Sequence, residues 1–369
     1  MYVQIKRGKA NGKYQDIAEE IKQKILREEY EVNTTIPSEF KLQEIYDVSR
    51  HTIRQAIAVL VNEGYLRKEK GSGTYVDDSY KKEKTPLNRT KTIGVITTYL
   101  SDYIFPSIIR GIENELRESG YSLLLASTNN DHELEKECLK KMIAYGVDGL
   151  IVEPTKSNQY NPNLALYVAL REQGIPMVMI NAAYEELNAS YICLDDVKVG
   201  FMAAEYLIKK GHQRLLFITK IDDLQGKYRM KGFISACEQY NVRFLTKDII
   251  TFTTETRETI AEKTVQRLKE EQALDGIICY NDQIASLLLD KLTENGYHIP
   301  DDLSIVGTDD SSLSHLGNKK LTTLTHPKEK LGQDAARWIV TTIEKGQAQP
   351  NILYEPVLVE RETVKENEK

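Results

Sequence analysis

From Thr92 onward the chain repeats itself at a nearly constant interval. Short strand-like runs begin at Ile93, Ser122, Gly149 and Met177, spaced 29, 27 and 28 residues apart. A second set begins at Arg214, Asp248, Gly276 and Ser304, spaced 34, 28 and 28. Amphipathic stretches lie between them, among them 105–119, 133–145, 197–210 and 283–294. Gly120, Gly146, Gly211 and Gly296 stand where a left-handed residue would close a helix. A strand–helix unit of about 28 residues predicts parallel sheets covered by helices. Eight such units could close one barrel or form two doubly wound lobes. The longer gap from Asn181 to His212 favours two lobes, with ligands held at the carboxyl ends of the strands, in the cleft between them.

Residues 1–91 do not share this repeat, and their charge differs. They carry +4, whereas residues 92–369 carry −10, so a polyanion partner is expected for the head alone. Overall 28% of residues are charged and 41% hydrophobic, as in ordinary globular proteins. No apolar run approaches the ~18–20 residues of a membrane span, and Met1-Tyr2-Val3-Gln4-Ile5-Lys6-Arg7 has no signal-peptide core. Cys138, Cys193, Cys237 and Cys279 are 55, 44 and 42 residues apart, which is neither a metal spacing nor a disulfide scaffold. A cytoplasmic protein with no membrane partner is expected.

Within the head, Ile17, Ala18, Ile21 and Ile25 form one apolar helical stripe. Ile36-Pro37-Ser38 stops the chain and restarts it, with Ser38 as cap, Glu39 in the first turn, and Leu42 and Ile45 as apolar positions. Asp47-Val48-Ser49 makes a tight turn into a third helix. Ile53, Ile57, Leu60 and Val61 face inward there, and Arg50, His51, Arg54 and Asn62 largely outward. Two short helices about a tight turn, the second opening on polar and basic groups, form a helix-turn-helix pattern. Next, Arg67, Lys68 and Lys70 rise into the tip Gly71-Ser72-Gly73, followed by Thr74-Tyr75-Val76. This reads as a basic hairpin, a wing able to reach phosphates or a minor groove.

These motifs and their spacing resemble the GntR family of winged-helix regulators over residues 14–76. The resemblance implies that Arg50 and Arg54 contact bases or backbone. It implies that Ser49 and Thr52 bind phosphate, and Ser38 and His51 are expected among the DNA-binding residues. Lys68 and Lys70 would contact phosphates, and Gly71 would let the wing approach the minor groove. Where many relatives carry Arg two residues before the Leu42 position, this chain has Phe40, so one DNA contact of the family is expected to be missing.

In the body, the strand ends collect polar and aromatic residues. The first strand leads to Tyr103 and Phe105, the fourth to Asn181, the seventh to Asn281 and Asp282, and the eighth to Asp309 and Asp310. One later helix begins near Tyr228-Arg229. Arg229 stands four residues before Phe233, so Phe233 is expected to pack the helix while Arg229 points out from its first turn. Carboxylates, amides and a guanidinium bridge adjacent hydroxyls, and aromatic rings cover C–H faces, which suits a small polyol. Singly, each residue could equally serve as a helix cap or an ion-pair partner, and Asp282 in particular reads as a cap.

Residues 92–363 are similar to the effector domain of LacI/GalR repressors, itself similar to periplasmic sugar-binding proteins. The phrases include Val147-Asp148-Gly149-Leu150-Ile151, Arg229-Met230-Lys231-Gly232-Phe233 and Ile299-Pro300-Asp301-Asp302-Leu303-Ser304-Ile305-Val306-Gly307. The resemblance implies effector contacts at Tyr103, Phe105, Asn181, Arg229, Asn281 and Asp309. A GntR-type head on a LacI-type body resembles the arabinose-responsive repressors of Gram-positive bacteria. That implies a homodimer on double-stranded operator DNA, released by L-arabinose. The residues alone specify only a small polar ligand.

The expected fold is therefore α/β: a winged helix-turn-helix domain at 1–76, a linker at 77–91, and a two-lobed effector-binding and dimerisation domain with parallel sheets at 92–369. The polar, Pro86-interrupted linker lacks the pattern of the hinge helix that LacI relatives place there. An enzyme is the rival class, but no GxxxxGK[ST], HExxH or GxSxG occurs, and six scattered histidines show no metal spacing. No catalytic residue, metal or cofactor is expected. A transport binding protein would share the body but needs a secretion signal.

Overall fold

The structure, a computed structural model, describes residues 13–26, 29–62, 64–69, 72–77 and 90–367. The chain divides into two units, 1–89 and 90–369.

In the first unit, α1 (Lys13–Leu26), α2 (Glu39–Tyr46) and α3 (Arg50–Asn62) precede a hairpin of β1 (Leu66–Glu69) and β2 (Gly73–Val76). The expected stripe is the core: Ile17, Ile21, Ile25, Leu42, Ile53, Ile57 and Leu60 are buried together, with Val61 only partly so. Ser38 caps α2 by accepting from Lys41 N at 3.3 Å, and Asp47 closes it in the left-handed region. The wing pairs Leu66 with Val76 and Lys68 with Thr74. Lys70, Gly71 and most of the expected linker lie outside the described residues.

The second unit opens with a βα series: β3 (Thr92–Thr97), α4 (Phe105–Glu118), β4 (Ser122–Ser127), α5 (His132–Tyr145), β5 (Gly149–Val152), α6 (Leu164–Glu172), β6 (Met177–Ile180) and β7 (Ser190–Leu194). The chain then crosses to a second lobe: α7 (Asp196–Lys209), β8 (Leu215–Lys220), α8 (Leu224–Gln239), β9 (Ile249–Phe252), α9 (Ile260–Glu270), β10 (Gly276–Cys279), α10 (Asp282–Glu294), β11 (Ser304–Asp309) and β12 (Thr322–Thr325). It returns to the first lobe for α11 (Lys328–Lys345) and β13 (Ile352–Tyr354), and crosses again for β14 (Leu358–Val359). The first sheet runs β13-β7-β6-β5-β3-β4 and the second β14-β12-β11-β10-β8-β9, parallel except for β14. Each sheet is buried on both faces by apolar layers. This is why central strands such as Gly149-Leu150-Ile151-Val152 carry no polar alternation.

The eight expected strands appear within one residue of their expected starts. Gly120, Gly146, Gly211 and Gly296 all adopt positive φ at helix ends. Four strands were not expected. β7 lies inside the long gap, β12 is the polar run Thr322-Thr323-Leu324-Thr325, and β13 and β14 are two to three residues long. The helix expected near Tyr228 begins at Leu224, because Asp223 caps it through Gly226 N at 2.9 Å.

Candidate functional site

On the winged-helix unit, α3 presents the expected groups outward. Arg50 and Arg54 lie one turn apart, exposed, and both direct Nε to Glu39 Oε2, at 3.0 and 2.9 Å. Lys68 on the wing stands 3.8 Å from the other Glu39 oxygen. Burial pushes the Glu39 carboxyl up, but hydrogen bonds from Arg50 and Arg54 outweigh it and hold the group below its ordinary range. One carboxylate thus gathers three cations onto one face, a role the sequence reading had not given Glu39. His51 is exposed on the same helix. Ser49 Oγ caps α3 through Thr52 N at 3.2 Å and shares a 2.8 Å hydrogen bond with Thr52 Oγ1. Arg67 instead bridges the wing to the loop after α1, donating to Asn33 Oδ1 at 2.9 Å and to Val76 O at 3.3 Å.

In the second unit, the strand ends of both lobes enclose a cavity of about 270 Å³. All six residues expected to contact an effector line it: Tyr103, Phe105 and Asn181 from the first lobe, Arg229, Asn281 and Asp309 from the second. Tyr103, Asn181 and Asp309 hold positive φ of 59°, 64° and 102°, costly for residues with a side chain. The Tyr103 hydroxyl crosses between lobes to donate to Asp309 Oδ2 at 2.6 Å. Burial, with Asp309 beside it, pushes this phenol well above its ordinary range and keeps it a donor.

Two expectations need correction. Arg229 does not point freely from a first turn. It lies in the second turn of α8, buried, with Nε 2.8 Å from Asp196 Oδ1 and its guanidinium 5.0 Å over the Tyr280 ring. Asp309 is its longer partner, at 3.8 Å. The cap of α10 is Asn281, accepting from Ile284 N at 3.0 Å, and not Asp282. Asp282 is buried and accepts instead from Thr323 Oγ1 and from Ser311 N and Oγ. Burial, with Asp309 near, pushes its carboxyl up to about 7.

Other lining residues had not been singled out. Glu153 follows β5 and accepts from Thr98 N and Oγ1 and from Asn181 Nδ2. Asn181 Oδ1 in turn receives His326 Nε2 at 3.1 Å, which leaves His326 Nδ1 buried without a partner. Burial pushes the His326 imidazole down to about 4. Lys220 ends β8 beside Asp222 and Asp223, at 3.3 and 3.1 Å. Burial works against its charge, but the two carboxylates outweigh it and raise the ammonium above its ordinary value. Tyr99 packs on Phe105, and Phe252 on Tyr280, edge to face. Glu153, Lys220 and His326 all stand at or just after strand ends, where the same positional rule would have found them.

The residues 13–76 match the model of bacterial regulatory proteins of the gntR family, and residues 204–364 match the periplasmic binding protein-like domain. An arabinose metabolism transcriptional repressor of Geobacillus stearothermophilus is 44% identical over 96% of this chain and 98% of its own. The chain belongs to this family of transcriptional repressors. A second relative of that description, from Halalkalibacterium halodurans, is also 44% identical, over 96% of this chain and 97% of its own. A solved periplasmic binding protein/LacI transcriptional regulator from Alkaliphilus metalliredigens, complexed with D-xylulofuranose, is 26% identical. It covers 74% of this chain and 99% of its own at a TM-score of 0.64. The family members are regulators rather than enzymes, with a DNA-binding head and an effector-binding body. Among the described residues no helix is long and apolar enough to cross a membrane.

Proposed function

We propose that this repressor binds operator DNA through Ser38, Ser49, Arg50, His51, Thr52, Arg54, Lys68, Lys70 and Gly71, and lets go when L-arabinose fills the interlobe cavity. The observation that carries the reading is the convergence of Tyr103, Phe105, Asn181, Arg229, Asn281 and Asp309, distant in sequence, on one cavity. Its chemistry suits a pentose. Glu153, Asp223 and Asp309 offer acceptors, Arg229 and Lys220 offer donors, and Tyr99, Phe105, Phe252 and Tyr280 supply apolar faces. The names of the two repressors and the pentulose on the solved LacI-type regulator support a pentose over other polar ligands.

The protein acts as a cytoplasmic homodimer, its body setting the separation of two heads on a two-fold operator. Closing the cleft on sugar changes that separation or the freedom of the heads through the linker. Calorimetry of the full chain against a panel of pentoses and hexoses tests the effector. L-arabinose should bind most tightly, and a panel in which another sugar binds tighter overturns its assignment.

A further inference from the structure

At the rim of the cavity, where Asn130 and Thr254 still line it, two loops of the first lobe meet two loops of the second. Lys156 Nζ donates to Glu255 Oε1 at 2.6 Å, and Asn130 Nδ2 to Thr254 Oγ1 at 2.6 Å. Beside them, Leu224 N donates to Ser157 Oγ at 2.9 Å and Asn158 Nδ2 to Ile221 O at 3.0 Å. Each half is assembled within its own lobe. Asn130 Oδ1 accepts from Lys156 N, joining the two first-lobe loops. Asp222 Oδ2 accepts from Thr254 N and Oγ1, joining the two second-lobe loops.

The first-lobe half is also held in an unfavourable backbone state. Asn129, Asn130 and Lys156 have φ of 47°, 56° and 41°, and none is glycine. Such conformations persist only where their surroundings enforce them. Here the enforcing element is a buried cluster. Glu135 accepts from the hydroxyls of Tyr184 and Tyr167 and from the amides of Asn161 and Asn163, at 2.6–2.8 Å. The Tyr184 hydroxyl accepts from Thr155 N at 2.8 Å, the residue before Lys156. The loop is thus fixed to its lobe with Lys156 aimed at the other.

We propose that Lys156 and Glu255 form an interlobe latch that sets the affinity for the effector without touching it. They are positioning residues, and their role rests on the reading of the cavity as a sugar site. An effector held between lobes binds the closed arrangement. A contact made only on closure raises the closed population, and with it the apparent affinity. Neither Lys156 nor Glu255 lines the cavity. Because the Glu255 side chain is 59% exposed, the pair contributes modestly, as half-exposed ion pairs do.

The test is calorimetry of L-arabinose with the full-length wild type, Lys156→Glu, Glu255→Lys and the double swap, with melting of the sugar-free proteins alongside. Each single reversal should weaken sugar binding about three- to tenfold. The swap should restore most of the loss, and melting temperatures should stay within about 2 °C. Single variants that bind like wild type overturn the latch. So does a fall in sugar affinity that tracks a fall in melting temperature and that the swap does not restore. A wild type that gives no heat with L-arabinose, yet melts normally, contradicts the sugar reading itself and the latch with it.

Discussion

Arg229 shows how far a single residue can be read before its neighbours are known. Its place facing the cavity was legible from the motif that carries it, but its closest charged partner was not, because Asp196 lies 33 residues away across a helix pair. Removing one member of a buried pair leaves the other charge uncompensated. Arg229→Ala is therefore expected to cost about 3–5 kcal/mol of stability of the effector unit in denaturant unfolding, besides abolishing the sugar response. On the head, Arg50→Ala or Arg54→Ala should each cost about 1–3 kcal/mol of specific operator affinity if they read bases, with calorimetric sugar binding unchanged. Glu39→Gln frees both guanidinia and Lys68 from their shared carboxylate. It should narrow the ratio of specific to random DNA binding in competition assays. His326 sets a pH dependence. Buried and neutral in the fold, with its pKa lowered to about 4, it stays unprotonated while the unfolded chain takes up a proton near its ordinary value. Stability should thus fall as pH drops from about 6.5 toward 4, by at most about 1.4 kcal/mol per unit. In His326→Gln, thermal melts across that window should show a flatter slope.

Elements were the most legible level, because the repeat of strand and helix is written in apolar spacing. What spacing does not reveal is which helices touch. Two pairs meet through glycine, α4 with α11 and α7 with α8. A Cβ on Gly111 would lie 2.1 Å from Glu329 O, and one on Gly332 2.1 Å from Ile108 O. In the second lobe, a Cβ on Gly200 would lie 1.8 Å from Arg229 O, and one on Gly232 1.9 Å from Val197 O. These obstacles are backbone and cannot swing aside, so Gly232→Ala must part α7 from α8. The expected loss is about 1–3 kcal/mol, with weaker sugar binding because Asp196 and Arg229 sit on the parted helices. Denaturant unfolding and calorimetry on the same variant check both. β12 escaped the sequence because its threonines break the apolar run that marks the other strands, and β13 and β14 because two or three residues give too little periodicity to register.

For the whole molecule, the two units were legible from the change in charge and repeat near residue 91, and the two lobes from the long gap after the fourth strand. The return of α11 and β13 to the first lobe was not, since chain order alone assigns them to the second. That return ties the lobes by three crossings, at 194–196, 325–328 and 354–358, and hinged lobes of this kind close on what they hold. The central claim is that filling this cleft makes the head release its operator. Fluorescence anisotropy of labelled DNA from the promoter beside the chain's own gene, bound by the full-length protein and titrated with L-arabinose, measures that step directly. The expected result is a fall to the value of free DNA as the sugar saturates its site. Anisotropy that stays level or rises at saturating L-arabinose would contradict it.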